Sequence, residues 1–253
     1  MDIRVLPYVQ KLSRQAADCV EQQLKAKPDS VLGLATGSTP LPLYQELIHR
    51  CHRGLSFAEV TTFNLDEYLG LPGDHPASYR YYMERHLFSH IDISPNRTYV
   101  PDGMAVDVKV ECLRYEKAIR KAGGIDLQIL GMGRNGHIGF NEPGTPFGLS
   151  TTVIKLAEST RKANARFFES IDAVPQHAIS MGIRTIMNAR NIVLLVAGAD
   201  KADAVKAAFE GPVTEEMPAS VLQLHPNLTV LLDREASSKL LLDFDASAGS
   251  VES

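Results

Sequence analysis

Short β-branched or leucine-rich runs alternate along this chain with longer amphipathic stretches, and that alternation limits the architectures open to it. Strand signals cover residues 3–6, 31–35, 60–64, 127–131, 153–156, 192–197 and 228–232. Helical periodicity covers residues 9–25, 41–52, 79–90, 106–122, 160–168 and 201–210. A run apolar at every position, such as Ile192-Val193-Leu194-Leu195-Val196-Ala197, suits a parallel strand buried on both faces. Strand and helix in turn predict a doubly wound, mostly parallel α/β sheet flanked by helices, with right-handed crossovers. No repeat or linker divides residues 1–253, which read as one domain, and the small polar tail from Asp245 to Ser253 reads as frayed.

At 253 residues and 44% hydrophobic, the chain can bury a core without disulfides or a structural metal. Its net charge of −4 offers no basic field for nucleic acid. An anionic ligand would have to be held by local cations and backbone N–H groups. Cys19, Cys51 and Cys112 are odd in number and form no C-x-x-C pair, which suits free thiols in a reducing cytoplasm. The start of the chain, with Asp2, Arg4 and Lys11 among apolar residues, has no signal-peptide pattern. No apolar run is long enough to span a bilayer. The expectation is a cytoplasmic protein whose partner is a small molecule, with no nucleic acid and no membrane.

In such sheets ligands bind beyond the carboxyl ends of the strands. After the second strand come Thr36, Gly37, Ser38, Thr39 and Pro40. Thr39 is a natural N-cap and Pro40 a natural first helical residue. Gly37 permits a tight turn that gathers N–H groups beside a helix dipole, and three hydroxyls add donors, as a monophosphate would require. The alternative is a well-capped βα turn. There is no Walker lysine, which argues against a nucleoside triphosphate.

Gly131-Met132-Gly133-Arg134-Asn135-Gly136 matches G-x-G-x-x-G literally. Pro143, Pro146, Gly139 and Gly144 follow it, however, and make a helix there improbable. No acidic residue ends a second strand about 20 residues on. The dinucleotide reading therefore fails, leaving a Rossmann-like sheet without a dinucleotide site. What remains is a glycine-rich loop displaying His137 and Glu142. Asp66 follows the third strand and can face the same crevice, although paired acids such as Asp66-Glu67 are more often surface residues. Arg161 and Lys201 lie at the starts of helical stretches, where a cation opposes the dipole unless an anion binds there. His86 and His90 are four apart with no third ligand, so no metal is expected.

Four strings, at residues 31–40, 64–68, 136–143 and 160–168, resemble the motifs of the glucosamine-6-phosphate deaminases. The His-Ile-Gly-Phe-Asn-Glu-Pro run at 137–143 is the most specific, and the resemblance covers nearly the whole chain. It implies that Asp66 is the base moving a proton between C2 and C1, and that His137 opens the pyranose ring with support from Glu142. It also implies that Thr36, Gly37, Ser38 and Thr39 hold the phosphate with Arg161 and Lys201. No cofactor and no metal enter. Asn135 stands where some members carry Asp, so the charge beside His137 is lower. Thr152 and Ile154 stand where regulated members carry the Arg and Lys that bind N-acetylglucosamine 6-phosphate. A monomer or small homo-oligomer without that allosteric site is the expectation. The galactosamine 6-phosphate epimer and a sugar-phosphate sensor are the rival readings. The Gly, Pro and Thr content of residues 144–168 would permit a lid.

Overall fold

The computed structural model describes residues 1–165 and 168–241. Seven strands form the main sheet: β1 (Asp2–Leu6), β2 (Val31–Leu34), β3 (Thr61–Asn64), β5 (Thr98–Tyr99), β6 (Leu127–Gly131), β9 (Asn191–Val196) and β10 (Leu228–Asp233). Their order is β1-β10-β9-β6-β2-β3-β5, and every neighbouring pair is parallel. β9 lies inside the sheet with Ile192 to Val196 all buried, as its unbroken apolar run predicts.

Both faces are covered. On one, α1 (Val9–Ala26) and α2 (Leu41–His52) bring Leu12, Ala16, Val20, Leu43 and Leu47 against Leu32, Leu34 and Val193. On the other, α4 (Val108–Lys121), α6 (Ile183–Met187) and α7 (Ala202–Glu210) bring Tyr115, Ile119, Ile186, Val205 and Phe209 against Phe63, Leu130 and Leu194. Each such aliphatic side chain contributes about 1.5–3 kcal/mol on burial.

The chain runs outward from β2 through β3 to β5, then returns to the far side of β2 with β6 and continues through β9 and β10. Strand order therefore reverses between β2 and β6, and the crevice beyond their carboxyl ends is where a doubly wound sheet takes its ligand. The loops that follow these two strands carry Thr36 to Thr39 and Asn135 to Glu142.

A second, antiparallel sheet of order β4-β8-β7 stands over that end: β4 (Asp66–Tyr68), β8 (His177–Ser180) and β7 (Thr152–Lys155). Residues 153–156 were expected as a strand of the main sheet. The strand exists, shifted by one residue, but it is only half-buried and belongs to the smaller sheet. β4, polar at two of three positions, and the short β5 and β8 left no periodic signal. Other boundaries also move. The helix expected at 79–90 stops at His86 as α3 (Tyr79–His86), followed by a 3₁₀ turn at Phe88–His90. α4 starts at Val108 because the Asp107 side chain caps the amides of Lys109 and Val110. Pro40, not Thr39, is the N-cap of α2, and Thr39 makes no cap hydrogen bond. α5 (Glu158–Asn164) begins before Thr160. Lys201 closes a 3₁₀ turn ahead of α7. The tail from Asp245 to Ser253 lies outside the described residues. Among the described residues no helix is long and apolar enough to cross a membrane.

Candidate active site

The loop after β2 is held from behind. Gly37 takes φ 103°, in the left-handed region that favours glycine. The Tyr82 hydroxyl on α3 donates to the Gly37 carbonyl at 2.6 Å, and the Tyr44 hydroxyl on α2 donates to the Ala35 carbonyl. With two carbonyls pinned to the scaffold, the peptide planes are fixed. The amides of Thr36, Gly37, Ser38 and Thr39 have no protein acceptor among the described residues, and the three hydroxyls have no partner either. These are the donors an oxyanion requires.

The loop after β6 makes turns where a dinucleotide fold would open a helix. Its glycines seat an imidazole. A Cβ on Gly133 would lie 2.1 Å from His137 Cε1, so only glycine allows the ring to fold back over this backbone. The Gly133 amide donates to the His137 carbonyl at 2.9 Å, and the Gly136 amide donates to the Gly133 carbonyl at 3.1 Å. Asn141 fastens the far end of the loop by donating to the carbonyls of Ile138 (2.8 Å) and Met181 (2.9 Å).

Asn135, His137, Glu142 and Thr160 form one chain of hydrogen bonds. The Asn135 Nδ2 donates to Glu142 Oε2 at 2.6 Å. The carboxylate can only accept, so this bond fixes which way the Asn135 amide points. Its oxygen then faces His137 Nδ1 at 2.7 Å, and Nδ1 must carry the ring proton when the imidazole is neutral. Nε2 is left with a lone pair and no described partner. Burial pushes the His137 pKa below its ordinary value; Glu142 opposes the shift and Lys201 adds to it.

Asp66 opens β4 with its side chain buried and no described hydrogen bond. Its Oδ2 lies 3.7 Å from where a Cβ on Gly139 would sit, beside the loop that carries His137. Burial first, and the charge of Glu67 second, push its pKa up to about 8. Glu67 has a different task. It accepts from the Ser78 hydroxyl (2.7 Å) and from the amides of Tyr68 (2.9 Å), Tyr79 (3.0 Å) and Arg80 (3.0 Å), which fixes the start of α3. The sequence pair therefore splits into one bare carboxyl and one clamp.

Lys201 closes the 3₁₀ turn that follows β9, its pKa lowered by burial and by Arg134 and supported by Asp200. Arg134 Nε pairs with Asp200 at 2.5 Å, tying the glycine-rich loop to the Lys201 turn. Arg161, the other expected phosphate cation, has its described contacts on the segment that follows α5. Its Nη2 donates to the carbonyls of Ile171 (2.8 Å) and Val174 (3.2 Å), its Nε is buried without a partner, and no described contact joins it to the loop after β2. Among the described residues no three His, Cys, Asp or Glu side chains gather as metal ligands. His90 Nε2 instead meets the Arg85 carbonyl at 3.0 Å.

Residues 7–231 match the family of glucosamine-6-phosphate isomerases/6-phosphogluconolactonase. The chain belongs to that family. Two glucosamine-6-phosphate deaminases resemble it over most of their length. That of Geobacillus sp. (strain WCH70) is 58% identical, the match covering 90% of this chain and 92% of the relative. That of Halothermothrix orenii is 54% identical, covering 95% of this chain and 100% of the relative. A solved monomeric glucosamine-6-phosphate deaminase superposes with a TM-score of 0.92 at 50% identity, covering 94% of this chain and 99% of that one.

Membership in the glucosamine-6-phosphate isomerase/6-phosphogluconolactonase family accords with a ligand crevice at the β2/β6 reversal. Residue-level reading missed the parts that position rather than react. Tyr44 and Tyr82 brace the loop after β2 from separate helices, and Thr160 donates to Glu142. Thr160 lies beside Arg161 in a string the sequence singles out, but only the fold shows what its hydroxyl meets.

Proposed function

We propose that this chain converts glucosamine 6-phosphate and water into fructose 6-phosphate and ammonia. The observation that carries the reading is the pairing of a buried, unbonded Asp66 carboxyl with an imidazole whose tautomer is fixed by Asn135. The relatives named above support the same substrate.

The phosphate dianion sits on the free amides and hydroxyls of Thr36, Gly37, Ser38 and Thr39, with Lys201 as a point charge. Arg161 is its second cation, carried on the segment that its Nη2 anchors to the carbonyls of Ile171 and Val174. Phosphate binding fixes the sugar far from the reacting carbons. His137 Nε2 takes the proton of the anomeric hydroxyl and delivers one to the ring oxygen, opening the pyranose to an aldehyde. Glu142 stabilises the imidazolium that forms in between.

Asp66 then removes the C2 proton to give an enolamine and returns a proton to C1. This leaves an imine at C2. Water adds to that carbon, the C–N bond breaks, and ammonia departs with the ketose as product. In the empty site Asp66 holds a proton near neutral pH. A substrate ammonium at C2 brings positive charge beside it and draws its pKa back down, which readies the carboxylate as base. One carboxylate serves both transfers because C1 and C2 are adjacent in the planar enolamine. None of these steps requires a metal or an organic cofactor.

The proposal extends to a monomer that N-acetylglucosamine 6-phosphate does not activate, acting in the cytoplasm. The monomeric solved relative supports the assembly state. Thr152 and Ile154, both in β7, supply no cation for an allosteric phosphate. Cys19, Cys51 and Cys112 are all free thiols, as a reducing compartment would keep them.

The test is ammonia and ketose 6-phosphate release from glucosamine 6-phosphate and, separately, from galactosamine 6-phosphate. Turnover of the gluco epimer is expected. Turnover of the galacto epimer alone would reassign the substrate, and thermal stabilisation by both without turnover would make the chain a sensor.

A further inference from the structure

We propose that Thr160 is a positioning residue for ring opening, acting on His137 through Glu142 and Asn135. The proposal rests on the deaminase reading and adds a residue to it.

Thr160 is buried on α5, and its hydroxyl donates to Glu142 Oε1. The other carboxylate oxygen, Oε2, accepts from Asn135 Nδ2 at 2.6 Å. The terminal torsion of a glutamate is broad and roughly two-fold, so a carboxylate bonded through one oxygen only can swing about that bond. The Thr160 hydroxyl removes that freedom. Without it Glu142 can swing off Asn135 Nδ2, and the amide keeps only the His137 backbone N–H on its oxygen at 3.3 Å; an amide then turned by 180° presents Nδ2 to His137 Nδ1. Two donors then face each other unless the ring moves its proton to Nε2. That is the nitrogen which must accept the sugar proton. One hydroxyl thus sets the tautomer three hydrogen bonds away.

The arrangement has a second consequence. Thr160 reaches the relay from the segment between β7 and β8, whereas Asn135, His137 and Glu142 all lie on the loop after β6. Its chain neighbour Arg161 ties that same segment to the carbonyls of Ile171 and Val174. The relay is assembled only when α5 is seated. A substrate that leaves α5 displaced would meet a histidine in the wrong tautomer and remain a closed ring.

Thr160→Val keeps the volume and branching of the side chain and deletes the hydroxyl, and Thr160→Ser keeps the hydroxyl. The variants are compared with wild type in steady-state turnover and in affinity for the open-chain amino alditol 6-phosphate made by reducing the substrate. That ligand needs phosphate and amine contacts but no ring opening. Thr160→Val is expected to lose about 10–100-fold in kcat, with KM and alditol affinity within about threefold of wild type. Thr160→Ser is expected to recover most of the loss. Should Val leave the protein unfolded by thermal melting, Thr160→Ala takes its place under the same requirement. Turnover of the hydroxyl-less variant within twofold of wild type overturns the proposal. So does alditol affinity that falls in step with kcat, or a Ser variant as poor as Val. Wild-type protein that releases no ammonia sinks the deaminase reading instead, a result distinct from each of these.

Discussion

His137 Nδ1 lies 2.7 Å from the Asn135 amide oxygen, and the opposite end of that amide is held by Glu142. A neutral amide here fixes the tautomer, and the charge of Glu142 lies farther off, 3.7 Å from Nδ1. Asn135→Asp keeps the acceptor but sets a second carboxylate beside Glu142, and once both are ionised the pair carries one more negative charge than Glu142 alone. Added negative charge favours the imidazolium and raises the His137 pKa. The acidic limb of the kcat/KM profile is therefore expected to move to higher pH while activity persists. An unmoved limb, or one shifted to lower pH, contradicts the role given to Asn135.

In the proposed site Lys201 bears on both ends of the substrate. Lys201→Met removes a cation from the phosphate, and a charge-assisted contact contributes about 1.5–3 kcal/mol. KM is expected to rise about 10–100-fold. The positive charge of Lys201 also lowers the His137 pKa, so its loss raises that pKa and moves the acidic limb upward. A change in KM with no movement of the limb separates the two effects and refutes the second.

Buried Asp66 also shapes stability. Its pKa stands at about 8 in the fold against an ordinary 3.8, so the folded state binds the proton more tightly than the unfolded chain does. This contribution favours folding below pH 3.8 and is lost progressively up to pH 8. At ~1.36 kcal/mol per unit it amounts to at most about 6 kcal/mol. Asp66→Asn has no such proton to lose. The excess of its melting temperature over that of wild type is expected to grow between pH 5 and pH 8 and then level off. A gap that shrinks over that interval would mean the carboxylate is stabilised, not penalised, by its surroundings.

The proposed absence of allostery has a kinetic signature. Saturation by substrate is expected to be hyperbolic, with the same parameters when N-acetylglucosamine 6-phosphate is added and a monomer by light scattering. Sigmoidal saturation that the acetylated sugar abolishes would place an effector site elsewhere than at Thr152 and Ile154.

The central architecture was legible because β9 and the stripe of Leu12, Ala16 and Val20 on α1 carry strong periodic signals. The antiparallel sheet was not, since β4 reads Asp-Glu-Tyr and its strand pairing with Ser180, Ile179 and Ala178 is set by the tertiary fold. Within the site, glycines and reactive groups stand out in the sequence: Gly133, His137, Glu142 and Asp66 all fall after strand signals. Partners chosen by three-dimensional approach do not. Nothing near Arg161 in sequence indicates that its guanidinium turns to the carbonyls of Ile171 and Val174, and nothing near Tyr82 indicates that it braces Gly37.

The most direct test of the account is turnover of glucosamine 6-phosphate by Asp66→Asn under conditions where the open-chain amino alditol 6-phosphate shows an intact phosphate site. Removal of the base is expected to lower kcat by about 10²–10⁴-fold, the range for general acid–base catalysis, with the alditol still bound. An Asp66→Asn protein that releases ammonia within tenfold of the wild-type rate would place the base elsewhere and contradict the mechanism.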